Sequence, residues 1–110
     1  MPGYRLSRLA ESDLEGIADY TVDAWGAAQA IRYIDGLLEC CERVARSPLL
    51  GRSCRKIGPG YRRIEQGKHV LFYRLSGEEV LISRILHQDM LPSSYVMQDS
   101  SQPDDLEPQE

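Results

Sequence analysis

Between residues 61 and 95 lie the side chains equipped to act on a phosphate: Arg62, Arg63, Lys68, Arg74 and Arg84, then His87 and Tyr95. Metal-free cleavage of a phosphodiester needs several cations around one pentacoordinate phosphorus, with a general base and a general acid drawn from His, Tyr, Glu or Lys. The residue types are present, so placement decides. Arg74 and Arg84 fall at comparable heights on either side of a turn at Gly77, where two antiparallel strands would put them on neighbouring rungs. A ribonuclease reading would use Arg62, Arg74, Arg84, His87 and Tyr95. A binding reading takes Arg62, Arg63, Arg74, Arg84, His87 and Met90 as a contact surface instead. Each residue also has a plainer role open to it. Arg84 can pair with Glu65 or a helix acid, and His87 can bond to backbone at a strand end. His69 leads an apolar strand and reads as a structural histidine, while Tyr20, Trp25 and Tyr33 read as helix packing. Three cysteines, Cys40, Cys41 and Cys54, lack metal-ligand spacing, and no glycine-rich nucleotide motif or Ser-His-Asp pattern occurs. Neither a metal nor a cofactor is expected.

The elements that must position these residues follow from periodicity. Residues 61–65, 68–75 and 80–87 alternate as strands, with Gln66-Gly67 and Ser76-Gly77-Glu78 as turns between them. In the middle run Leu71 and Tyr73 oppose Val70 and Phe72. In the last, Val80, Ile82, Arg84 and Leu86 oppose Leu81, Ser83, Ile85 and His87. Both faces are largely apolar, so these strands are central. Upstream, Tyr4 and Leu6 mark a short strand beside this meander. Ser7 is a helix N-cap, and Ala10, Leu14, Ile17 and Thr21 form the stripe of a helix of about three turns. Trp25-Gly26 breaks it. A second helix spans residues 27–46, its stripe running Ala27, Ile31, Ile34, Leu38, Cys41, Ala45 and widened by Ala30, Leu37 and Val44, and Ser47-Pro48 ends it. Residues 49–60 read as a loop rich in Gly, Pro and base.

The resulting class is α+β: a short N-terminal strand, then an α-helical hairpin packed on a small antiparallel sheet, in the order β-α-α-β-β-β. The other sheet face is expected to stay open. One domain covers 1–95, and the acidic, polar segment 96–110 is expected to be disordered. No apolar run approaches membrane-span length and no signal-peptide core is present, so a cytoplasmic location with no membrane contact is expected. The net charge of −4 conceals an asymmetry. Residues 1–42 carry three basic and eight acidic groups, whereas residues 43–84 carry ten basic and three acidic. A basic surface of this kind suits an anionic partner.

The order of elements, together with LAESDLEGIADYT, WGAAQAIRYID, SPLLGR, GPGYRRI, GKHVLFYR and ISRILHQDM, resembles the ParE branch of the RelE/ParE toxins over residues 4–90. The resemblance implies a bacterial type II toxin–antitoxin toxin, neutralised by a ParD-like antitoxin in a hetero-oligomer. It implies inhibition of DNA gyrase, with trapped DNA breaks, blocked replication, growth arrest and a role in plasmid stabilisation. RelE-like relatives instead cleave messenger RNA on the ribosome, and a third outcome is a relative kept only for complex formation. The lysine-rich run that RelE-type nucleases carry before the meander is missing here. The reading taken forward is therefore a non-enzymatic poison with no catalytic residues, in which the arginines, His87 and Met90 bind antitoxin or target.

Overall fold

The computed structural model of the chain describes residues 3–90. Tyr95, the boundary placed between 95 and 96, and the segment 96–110 lie outside the described residues. The elements are β1 (Tyr4–Leu6), α1 (Arg8–Trp25), α2 (Ala27–Arg46), a 3-10 turn (Pro48–Leu50), β2 (Arg52–Ser53), β3 (Arg62–Gln66), β4 (His69–Ser76) and β5 (Glu79–His87). The α+β class holds, with the helical hairpin on one face of a sheet ordered β1-β5-β4-β3-β2. The β3–β4–β5 meander is antiparallel, and β1 joins the outer edge of β5 in parallel, Tyr4 opposite Val80. Among the described residues no helix is long and apolar enough to cross a membrane.

Ser7 does two things at once. Its hydroxyl oxygen accepts the Ala10 N–H at 3.0 Å, capping α1, and its O–H donates to the Ser83 carbonyl of β5 at 2.8 Å. The first turn of the helix is thereby fastened to the sheet. α1 then runs 18 residues, longer than its apolar stripe suggested. It stops only at Gly26, whose φ of 93° suits glycine alone and whose N–H bonds to the Val22 carbonyl. α2 has the expected bounds, and its buried stripe lies on the side of the expected face formed by Ala30, Leu37 and Val44. Ala30, Leu37, Cys40, Cys41, Val44 and Ala45 are buried, while Ile31 is 62 % exposed. Small residues such as Ala30 and Cys40 fix this phase, because they let the helix axis approach the sheet where Ile31 would hold it away.

The loop expected over 49–60 contains β2. Arg52 and Ser53 pair with Arg63 and Arg62 of β3, a two-residue strand too short to show a period of its own. The far sheet face, expected to be open, is partly covered: Ile57 from the following turn packs with Val70, Phe72 and Leu86, and Cys54 and Tyr61 rest against them. Apolar side chains on both faces of β4 and β5 require cover on both sides, and the 54–61 segment provides it.

The face assignment for β5 also changes. Phe72 pairs with Arg84 and Tyr73 with Ile82, so Ser83 is an extra residue and the register slips there. A bulge moves every later side chain to the opposite face. Ile85 therefore joins Val80 and Ile82 in the helix-side core with Leu37, Cys40, Cys41, Val44, Leu71 and Tyr73, and Leu86 goes to the far side. Ser7, bonded to the Ser83 carbonyl, holds the bulge in place.

Candidate functional site

Beyond the end of this core, α1, the start of α2 and the β4–β5 ends enclose a groove of about 750 Å³. Its walls are aromatic: Tyr20 and Trp25 line it, and each is 70 % exposed. Sequence reasoning placed both in the helix packing, and the structure overturns that placement. Tyr20 sits on the flank of the Ala10–Ile17–Thr21 stripe, and Trp25 lies in the last turn before Gly26. Between them and the start of the helix stands Gly16, where an added Cβ would meet nothing within 4 Å. A glycine inside a helix costs about 1 kcal/mol relative to alanine. Here it leaves the space between Asp13 and Tyr20 unfilled, and the groove runs through it.

The floor is polar and fully connected. The Tyr33 hydroxyl accepts the Lys68 backbone N–H at 3.0 Å and shares a hydrogen bond with Nδ1 of His69. The His69 ring then meets His87 edge-to-face, centroids 5.3 Å apart. Burial and the neighbouring His87 push the His69 pKa below its ordinary value, which disfavours the charged ring. Tyr33 reaches it because of Gly67, whose φ of 62° makes the β3–β4 turn and whose absent Cβ would lie 2.8 Å from the Tyr33 ring. Any side chain at Gly67 would displace the tyrosine.

Beside the histidines, Arg84 is engaged with α1. Its Nε and one terminal nitrogen donate to the two Asp13 carboxylate oxygens at 2.8 and 2.9 Å, and the Ile85 N–H donates to the same carboxylate at 3.0 Å. These side chains are only 16 % and 13 % exposed, and the Asp13 bond raises the Arg84 pKa further. The helix-acid alternative for Arg84 is thus the one realised, and Glu65 takes Arg52 and Arg63 instead.

The proposed site residues accordingly divide between two places. Arg84, His87 and Met90 line the groove. Arg62 donates to the Gly51 carbonyl at 2.7 Å, Arg63 lies over the Phe72 ring, and Arg74 lies over the Tyr61 ring. Arg74 and Arg84, set at comparable heights by the sequence, do not share a cluster: Asp13 holds Arg84 against α1, while Arg74 lies over the Tyr61 ring. Lys68, a phosphate candidate by sequence, also lines the groove, and His69, Tyr33, Tyr20, Trp25 and Gly16 are among the groove residues that sequence reasoning did not assign to a site. A signal for Tyr20 existed: Asp13, Gly16 and Tyr20 follow a helical ridge beside the apolar stripe, with a gap in its middle.

The family described as the ParE toxin of type II toxin–antitoxin systems matches residues 4–92. Toxin ParE1 of Mycobacterium tuberculosis is 46% identical over 88 residues, covering 79% of this chain and 90% of the relative. Toxin ParE1 of Caulobacter vibrioides is 43% identical over 90 residues, covering 82% and 93%. A chain in the solved structure of the chromosomal ParDE system from P. aeruginosa superposes with a TM-score of 0.68 at 25% identity, covering 79% of this chain and 96% of that one.

Proposed function

This chain belongs to the ParE toxin family of type II toxin–antitoxin systems, and we propose that a ParD-like antitoxin neutralises it by laying an amphipathic segment into the groove along α1. The observation that carries this reading is the pair of exposed aromatics, Tyr20 and Trp25, beside the gap at Gly16. Exposed tryptophan and tyrosine flanking a depression are the residue types that dominate binding energy at protein interfaces. The groove floor adds His87, Lys68 and His69 as donors for a carboxylate on the incoming segment. A helix-in-groove mode would place apolar side chains between Tyr20 and Trp25 and an acid toward the histidines.

Released from the antitoxin, the toxin acts by binding DNA gyrase and stabilising its cleaved-DNA state. Support for this target comes from the ParE resemblance. The separation of Arg62 and Arg74 from Arg84 and His87 agrees with a binding rather than a cleaving mode. Two assays test the two halves. Gly16→Leu keeps the helix and fills the groove, so antitoxin affinity should fall at least tenfold with the melting temperature unchanged or raised; unaltered affinity would remove the antitoxin from this groove. Purified toxin, gyrase and supercoiled plasmid should yield loss of supercoiling and linear DNA, relieved by antitoxin. Intact supercoiling activity would set the gyrase target aside.

A further inference from the structure

From residue 43 to residue 64 the chain carries seven basic residues and no acidic one. The groove uses none of them. Folding gathers part of this run on the sheet face away from the helices. Arg52 and Arg63 are direct cross-strand partners, which puts two positive side chains on one face of the β2–β3 edge. Arg55 and Lys56 stand exposed in the turn that packs over the same face through Ile57. Arg74 joins them from β4, its guanidinium 5.9 Å from the centre of the Tyr61 ring.

Like charges placed directly opposite in a sheet are destabilising. Here they are offset by a single carboxylate, Glu65, which accepts from Arg52 at 2.7 Å and from Arg63 at 3.1 Å. Among the described residues, one acid against five cations leaves this face strongly positive on a chain that is negative as a whole. The Nε–H of Arg63 is buried without an acceptor among the described residues. The apolar groups of the face are already occupied, since Arg63 lies over Phe72 at 5.8 Å and Arg74 over Tyr61. Among the described residues these stacks cover the rings of the face, and they hold the two guanidinium groups in place. Spread, pre-positioned cations match a ligand whose charge repeats along its length.

We propose that Arg52, Arg55, Lys56, Arg63 and Arg74 form a binding surface for the phosphate backbone of duplex DNA, independent of the antitoxin groove. The surface reads charge rather than sequence, and does so without gyrase. The test is fluorescence anisotropy of a labelled duplex of arbitrary sequence titrated with the full-length chain alone. With about four phosphates neutralised, log affinity should fall against log salt with a slope of about −3 to −4 between about 50 and about 200 mM. The double variant Arg55→Gln, Lys56→Gln alters only exposed turn residues. It should weaken binding at least tenfold and make the slope shallower by about 2, one for each phosphate no longer neutralised, leaving antitoxin affinity and the melting temperature unchanged. No anisotropy change at the lower salt, or equal binding by the double variant, overturns the proposal. Binding of a poly-glutamate peptide but not DNA also overturns it, and assigns the face to an acidic protein. Because gyrase is absent from the assay, any of these failures leaves the gyrase reading standing.

Discussion

Replacing Asp13 by alanine is the most informative single change, because it separates a strut from a functional arginine. The carboxylate receives two N–H bonds from Arg84 and one from Ile85, at 2.8 to 3.0 Å, and both charged side chains are about six-sevenths hidden from water. Removing one member of a buried pair costs about 3–5 kcal/mol, chiefly because the remaining charge stays buried without it. The unpaired Ile85 N–H adds to this, and the residual exposure of the pair reduces it, giving about 3 kcal/mol for Asp13→Ala. Arg84→Ala should cost somewhat less, about 2 kcal/mol, since Asp13 keeps the Ile85 N–H as a donor. The double variant should cost well below the sum, with a coupling of about 2 kcal/mol. For a domain of this size about 3 kcal/mol corresponds to a fall in Tm of roughly 10–20 °C. Urea denaturation of the four proteins in the cycle gives the coupling directly. Effects additive within about 0.5 kcal/mol would refute the strut. So would an Arg84→Ala protein that melts like the wild type yet has lost toxicity, because Arg84 would then act on the target.

Two further outcomes follow from buried groups. Tyr73 is buried, donates to the Pro48 carbonyl at 2.8 Å and accepts the Gly51 N–H at 2.7 Å, so Tyr73→Phe strands two backbone groups and should cost about 1–3 kcal/mol; amide exchange should quicken at Gly51 and β2 first, and unchanged protection there would show that the hydroxyl does not hold the segment. His69 has a lowered folded pKa, so near and below its ordinary 6.5 the unfolded chain binds more protons than the folded one. Its contribution is complete above about pH 6.5 and is lost as pH falls through that value toward the folded pKa. Stability measured on both sides of this window should therefore drop less on acidification in His69→Gln than in the wild type, and equal drops would show that His69 is not the group titrating.

Much of this architecture was legible in the residues. Ser7 announced a helix start, Gly26 a break and Ser47-Pro48 a stop, each through backbone chemistry that acts within a few residues. Gly67 and Gly77 set the hairpin turns for the same reason, since their positive φ is a local requirement. The adjacent Cys40 and Cys41 were readable as small core residues; both are fully buried, and burial pushes the Cys41 pKa to about 12. The basic run from 43 to 64 was visible as a charge asymmetry, although not the face on which it would collect.

What the tertiary structure alone decided are matters of register and of distance between segments far apart in the chain. The extra residue at Ser83 leaves no mark on an alternating pattern, yet it exchanges the faces of Ile85 and Leu86, and the partner of Arg84, Asp13, lies 71 residues away. β2 exists only because β3 offers it a partner. Tyr20 and Trp25 have the composition of core residues and stand exposed among the described residues, beside the gap that Gly16 leaves in α1. Tyr33, His69 and His87 become one connected floor only when α2, β4 and β5 meet. Local backbone preferences are written in neighbouring residues and so determined the elements. The groove and the basic face depend on which surfaces of those elements come together, and that is set by packing across the whole chain.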